Sequence, residues 1–292
     1  MTDQDAIRYN QRSAQDLGWT PEWFGAKAFD ATLIKKIVMF QKAHGLTQDG
    51  LCGPTTYRFA FTAREASGAG DGESIIYCGK PFRIQWNKVV LWNEPGGLRL
   101  NDGTHVKNSM TRPREIKMFV NHWDVCLSSA SCAKVLNDRK VSVHFCIDND
   151  GTIYQLADMQ HTCWHAGSGV VNAASVGVEI SNAYSTKYND VYLSRFGVPR
   201  PVIKGAKVHG RPLGDFLGFY PVQLEALAAL WAAVHAAAGV PLQLPAEDHK
   251  VSPEVAAGRF CGFVNHYHVT DRKIDCAGLD NQAVLDKART IS

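Results

Sequence analysis

The sequence contains no CxxC pair. Its eight cysteines stand apart at positions 52, 78, 126, 132, 146, 163, 261 and 276, which argues against a thiolate zinc cage. Long apolar runs are also missing. The most apolar stretch, LEALAALWAAVHAAAGVPL at 224–242, is rich in alanine and includes Glu225 and His235. It reads as a buried helix, and no membrane insertion is expected. Neither charge sign dominates: 31 Lys and Arg against 28 Asp and Glu leave +3, far below the density that marks nucleic-acid binding. The opening MTDQDAIRYNQRSAQDLGW lacks a basic start and an apolar core, so no secretory signal is expected. Most cysteines are then expected to be reduced core residues, with Cys126 and Cys132 the pair that an oxidising compartment could join.

What is present suits a folded chain with a substantial core: 45% of its 292 residues are hydrophobic and only 20% charged. Residues 66–74, ASGAGDGES, are small and polar and read as a linker between residues 1–65 and residues 75–292. In the first segment, Leu33, Ile34, Ile37, Val38 and Phe40 fall near helical spacing and stop at Gly45. Asp49-Gly50 and Gly53-Pro54 then force a turn, after which Thr55 or Thr56 can cap another helix.

The second segment alternates strand and helix signals. EIKMFVNHWD (115–124) and SVGVEIS (175–181) are β-rich, and VSVHFCIDNDGTIYQL (141–156) reads as a hairpin turning at Asn149-Asp150-Gly151. Residues 221–239 read as a long helix opened by Pro221 and closed by Gly239, and NQAVLDKARTI as a last helix. The implied fold class is α/β with a mixed sheet. Residues 183–219 show no periodicity, and a loop of that length is often functional.

A hydrolytic zinc site takes three protein ligands and keeps a fourth position open. His122, His144, His161, His165, His266, His268, Asp275 and Cys276 are all chemically able to serve. A histidine in a strand is more often a core residue than a ligand, so residue type alone does not choose among them.

The order of motifs does. Residues 115–285 resemble the zinc-dependent N-acetylmuramoyl-L-alanine amidases of the second type, whose fold is shared with peptidoglycan recognition proteins. FVNHWD, VHFCIDNDGTIYQL with CWHAG, VGVEISN and NHYHVTDRKIDCAG match four family motifs in order. The resemblance implies a mixed central sheet flanked by helices and a zinc ion held by His122, His266 and Asp275. It also implies Glu179 as the general acid–base and Lys273 as the oxyanion donor. His165, Trp164 and Tyr154 would line the substrate cleft. His144 reads as structural or as a partner of a ligand, and His268 and Cys276 as bystanders, although the closing loop is one residue shorter than the family's and lacks its Pro-Gly turn. His161 and His209 receive no role.

In the first segment, FQKAHGLTQDGLCGPTT is similar to the three-helix peptidoglycan-binding domain of cell-wall hydrolases. Phe40, Gln41, Gly45, Leu46, Asp49, Gly50, Gly53, Pro54 and Thr56 carry that match. Together the two resemblances imply an enzyme that meets peptidoglycan, both glycan strand and stem peptide, as a monomer with no nucleic-acid partner. A binding domain without a secretory signal is similar to a phage endolysin, made in the cytoplasm and released to the wall by a holin. A non-catalytic recognition module, a cytoplasmic recycling amidase and a secreted effector are the competing expectations.

Overall fold

Met118–Trp123 is buried at every position, as a strand in the middle of a covered sheet must be. The computed structural model describes residues 2–60 and 73–291. It divides into two units, one comprising Met1–Asp71 with Gly79–Pro81, the other Gly72–Cys78 with Phe82–Ser292. Most of the expected linker lies outside the described residues.

The first unit has helices α1 (Asp3–Leu17), α2 (Ala31–Ala43) and α3 (54–60) around Trp19, Leu33, Ile37 and Cys52. Four of its motif residues, Gln41, Asp49, Gly50 and Thr56, hold one another. The buried Gln41 amide donates to Asp49 Oδ1 (2.7 Å), the Leu51 carbonyl and Thr56 Oγ1 (both 3.1 Å), while its Oε1 accepts from Gly50 N–H at 2.9 Å. The helix begins at 54, ahead of both threonines, so neither caps it as expected. Thr56 is buried and serves Gln41 instead.

The second unit is built on a six-stranded sheet of β1 (Val89–Leu91), β2 (Met118–Trp123), β3 (Phe145–Ile147), β4 (Ile153–Gln155), β5 (Ser175–Ile180) and β6 (Gly262–Asn265). The order is β6-β2-β5-β3-β4-β1, and only the β3–β4 hairpin is antiparallel. The sheet is therefore mixed, as the alternation of strand and helix signals implied.

Alternation within the strands separates two faces. Phe119, Phe263, Val176, Val178 and Ile180 form one core with α7 (Pro221–Ala238) and α10 (Asn281–Ile291), where Trp231 stacks on Phe263 at 4.5 Å. Met118, Val120 and Val264 face the other way, against Val171 of α5 (Gly169–Ala174) and Val255 of α8 (Pro253–Ala256). Further along that face, α4 (Ser129–Asp138) lays Cys132 on Cys146.

The 183–219 segment is more ordered than its lack of periodicity implied. It contains α6 (Asn189–Phe196) and four two-residue strands, Val202–Ile203 with Phe216–Leu217 and Lys207–Val208 with Arg211–Pro212. Strands that short have no periodicity to read. The buried Arg200 holds the segment down, donating to the carbonyls of Ser181 and Gly218 and lying over the rings of Tyr192 and Tyr220.

Candidate metal centre

Strand register places the chemistry in one row. His122 pairs with Glu179 across β2 and β5, and Glu179 pairs with Cys146 across β5 and β3, so their side chains share a face. On the other side, Asn121 pairs with Asn265, which sets His266, the first residue of α9 (His266–Val269), beside His122. Buried amides lock that register: Asn121 Nδ2 donates to the Val264 carbonyl and to Asn265 Oδ1, both at 3.0 Å. Asp275 arrives from the loop after α9, and its carbonyl accepts from Tyr267 N–H at 3.1 Å.

Three atoms converge in the row. His122 Nδ1 lies 3.0 Å from His266 Nδ1 and 3.2 Å from Asp275 Oδ2, and the last two are 3.0 Å apart. The outer bonds decide what these atoms carry. His266 Nε2 donates to the Ala166 carbonyl at 3.2 Å, which leaves Nδ1 as a lone pair. Ser175 Oγ donates to the Val171 carbonyl at 2.7 Å and so accepts from His165 Nε2 at 3.3 Å. His165 Nδ1 then accepts from His122 Nε2 at 3.0 Å, and His122 Nδ1 is a lone pair too.

Two nitrogen lone pairs and a carboxylate oxygen facing one another call for a cation. Zinc with bonds of about 2.0–2.1 Å sets tetrahedral ligands about 3.3 Å apart, so the spacing and the donor set both fit it. Among the described residues, this is the one group of three or more His, Cys, Asp or Glu side chains with converging ligand atoms.

Electrostatics follow from burial. Burial and the neighbouring His266 hold the His122 imidazole down at about 4, so it stays neutral and able to ligate. Burial acts to raise Asp275, but its contact with the His122 and His266 rings outweighs that and leaves the carboxyl below its ordinary range. Burial, then the charges of Asp124 and Asp275, push Glu179 well above the usual carboxylate range, and its Oε2 is buried with no hydrogen-bond partner.

The remaining sequence-derived residues spread around this centre. Lys273 is exposed beside His266, on a groove of about 420 Å³ that Ala166, Ser168 and Thr270 also line. His165 stands behind His122 with both ring nitrogens engaged. Trp164 is at the surface, 38% exposed. Tyr154 is half-buried on the α4 side of the row, two strands from Glu179 or about 10 Å, and the structure does not bring it to the metal ligands. His144 contacts no ligand: its Nδ1 accepts from Gly177 N–H and its Nε2 donates to the His161 carbonyl. His268 accepts from Asn265 N–H at 2.9 Å and faces Asp248 at 3.4 Å, outside the cluster. Cys276 is buried, and burial pushes its thiol far up. All eight cysteines, Cys126 and Cys132 included, are free thiols.

Sequence reasoning missed Gly177 and His209. A Cβ at Gly177 would stand 2.7 Å from His165 Nδ1, so only glycine leaves room for the ring that orients His122. A glycine inside a β-rich run is itself a mark of close approach and could have signalled this.

The family model for N-acetylmuramoyl-L-alanine amidases matches residues 112–277, which spans every residue of the cluster. The chain belongs to that amidase family. Among solved structures, the amidase LysC from Clostridium intestinale is 15% identical with a TM-score of 0.37, covering 70% of this chain and 99% of its own. Staphylococcus aureus AmiA is 13% identical with a TM-score of 0.42, covering 75% of this chain and 96% of its own. Pseudomonas aeruginosa AmpDh3, solved with an anhydromuramic pentapeptide, is 17% identical with a TM-score of 0.40, covering 62% and 63%. No curated protein matches the chain.

Proposed function

We propose that this amidase hydrolyses the bond between the lactyl group of N-acetylmuramic acid and L-alanine in peptidoglycan, with zinc held by His122, His266 and Asp275. The observation that carries the reading is the convergence of three lone pairs at 3.0–3.2 Å, with Glu179 next in the row. A zinc ion bound there supplies Lewis acidity, which acidifies water and polarises a carbonyl. Glu179, one strand from His122 and with a free Oε2, takes the proton of the attacking water and passes it to the departing amine of L-alanine. The Lys273 ammonium, on the groove beside His266, donates to the oxygen that gains charge as the carbonyl is attacked. Trp164, exposed next to His165, would line the substrate cleft.

On its resemblance to wall-binding domains, the N-terminal unit would hold a monomeric enzyme on intact wall. We read the whole as a phage-type lytic enzyme that reaches its substrate once a holin opens the membrane. The test is mass spectrometry of digested sacculi, alongside metal analysis of the purified protein. New L-alanine amino termini, with about one zinc per chain, are expected. New reducing sugars would mean a glycosidase. Faster turnover of soluble anhydro-muropeptides than of sacculi would mean a recycling enzyme.

A further inference from the structure

Within the 183–219 segment, the hairpin Lys207–Val208/Arg211–Pro212 closes through His209-Gly210, whose φ angles are 54° and 72°. Two positive φ values in a two-residue loop make a type I′ turn, where Asn-Gly is the usual solution. Histidine enters this region more readily than most residues, yet a residue selected for the turn alone would be asparagine or glycine. The imidazole has a separate use. Its Nε2 donates to the Lys273 carbonyl at 2.9 Å, while the His209 main-chain N–H donates to the His249 carbonyl at 2.7 Å. A carbonyl can only accept, so Nε2 carries a proton whether the ring is neutral or charged.

The hairpin has a firm base, because Val208 is 1% exposed and belongs to the main core. A second grip lies just beyond Asp275. Ile203 and Phe216, from the other strand pair of the segment, stand 3.1 Å from where a Cβ at Gly278 would be. The loop that delivers Asp275 is thus held on both sides, at Lys273 and at Gly278, by one segment.

We propose that His209 is a positioning residue: by pinning the Lys273 carbonyl it fixes the 273–275 loop, and with it the hold of Asp275 on zinc. This rests on the reading of His122, His266 and Asp275 as zinc ligands. His209 touches neither the ligand atoms nor the groove, and it acts only through the loop.

The test uses the full chain as wild type, His209→Gly and His209→Gln. Zinc affinity is read by competition with a chromophoric chelator, and the thermal unfolding of each metal-free protein is measured in parallel. Glycine keeps the turn and deletes the bond. Glutamine restores an N–H donor of similar reach. In His209→Gly, affinity should fall on the order of 10-fold, with metal-free unfolding unchanged, kcat reduced and KM retained. His209→Gln should recover most of the loss. Equal affinity in wild type and His209→Gly overturns the inference. So does an affinity loss that merely follows a loss of metal-free stability and is not recovered by glutamine. A wild-type protein that holds no zinc would overturn the metal reading itself, and this inference with it.

Discussion

The ring of His165 fills the space that a side chain at position 177 would need: a Cβ there would sit 2.7–2.8 Å from three of its atoms. His165 Nδ1 in turn accepts the hydrogen bond from His122 Nε2 that leaves His122 Nδ1 free. A missing methyl on one strand therefore supports a ligand on the next.

Gly177→Ala should disturb the centre out of proportion to its size. Relieving the clash means moving the His165 ring, because the strand is buried on both sides, at about 1–3 kcal/mol of overpacking cost. Zinc affinity should drop by about 10–100-fold through the lost partner of His122. Chelator competition and a denaturant melt on the same preparation would separate the two effects. Unchanged affinity would remove His165 from its supporting role.

Glu179→Gln should leave zinc bound and slow hydrolysis by about 10²–10⁴, the usual weight of a general acid–base group. Gln keeps the shape but cannot take a proton, while the ligand triangle does not include position 179. Zinc content measured beside release of L-alanine amino termini checks it. Near-normal turnover would assign the proton transfer elsewhere.

The metal-free protein should be acid-sensitive. His122, His144 and His165 are all depressed below their ordinary value, chiefly by burial, His122 to about 4. A histidine with a depressed folded pKa contributes stability above its unfolded value of about 6.5, and that contribution is lost as pH falls through the folded value. For His122 the window from 6.5 to about 4 is worth about 3 kcal/mol. Urea midpoints of chelated protein should fall across that window, and added zinc should oppose the fall near its upper end. A flat profile would contradict neutral burial.

Gln41→Leu should damage the N-terminal unit alone. It strands the buried Thr56 hydroxyl and the Gly50 N–H, and an unsatisfied buried group costs about 1–3 kcal/mol. Calorimetry of the full chain should show one transition moving while zinc content holds. Retention on sacculi should fall with it. Sacculus binding that survives loss of that transition would place the wall contacts outside the first unit.

The strands that matter were legible because they carry unmistakable patterns. FVNHWD and SVGVEIS announce buried β-structure, and motif order picked out His122, His266 and Asp275, which converge, from a longer set of able residues. What escaped depends on through-space contact between segments distant in sequence. Nothing near Gly177 predicts that His165 will lie across it, and nothing near His209 predicts the Lys273 carbonyl. Tyr154 lies in the same row as Glu179, two strands away and packed with the residues under α4, a position that only the strand order reveals. Two-residue strands held by a buried guanidinium leave no mark that periodicity can detect.

Because side chains alternate along β5, the pairing of Ser175–Ile180 with its neighbours has only two settings. In one, a carboxylate looks toward the histidines. Slipped by a single residue, the strand would turn Val178 or Ile180 toward them and drive Glu179 into the aromatic layer under Trp231. No halfway geometry exists, so a one-residue insertion or deletion in this hexapeptide should abolish hydrolysis outright, whereas point changes along it can be graded.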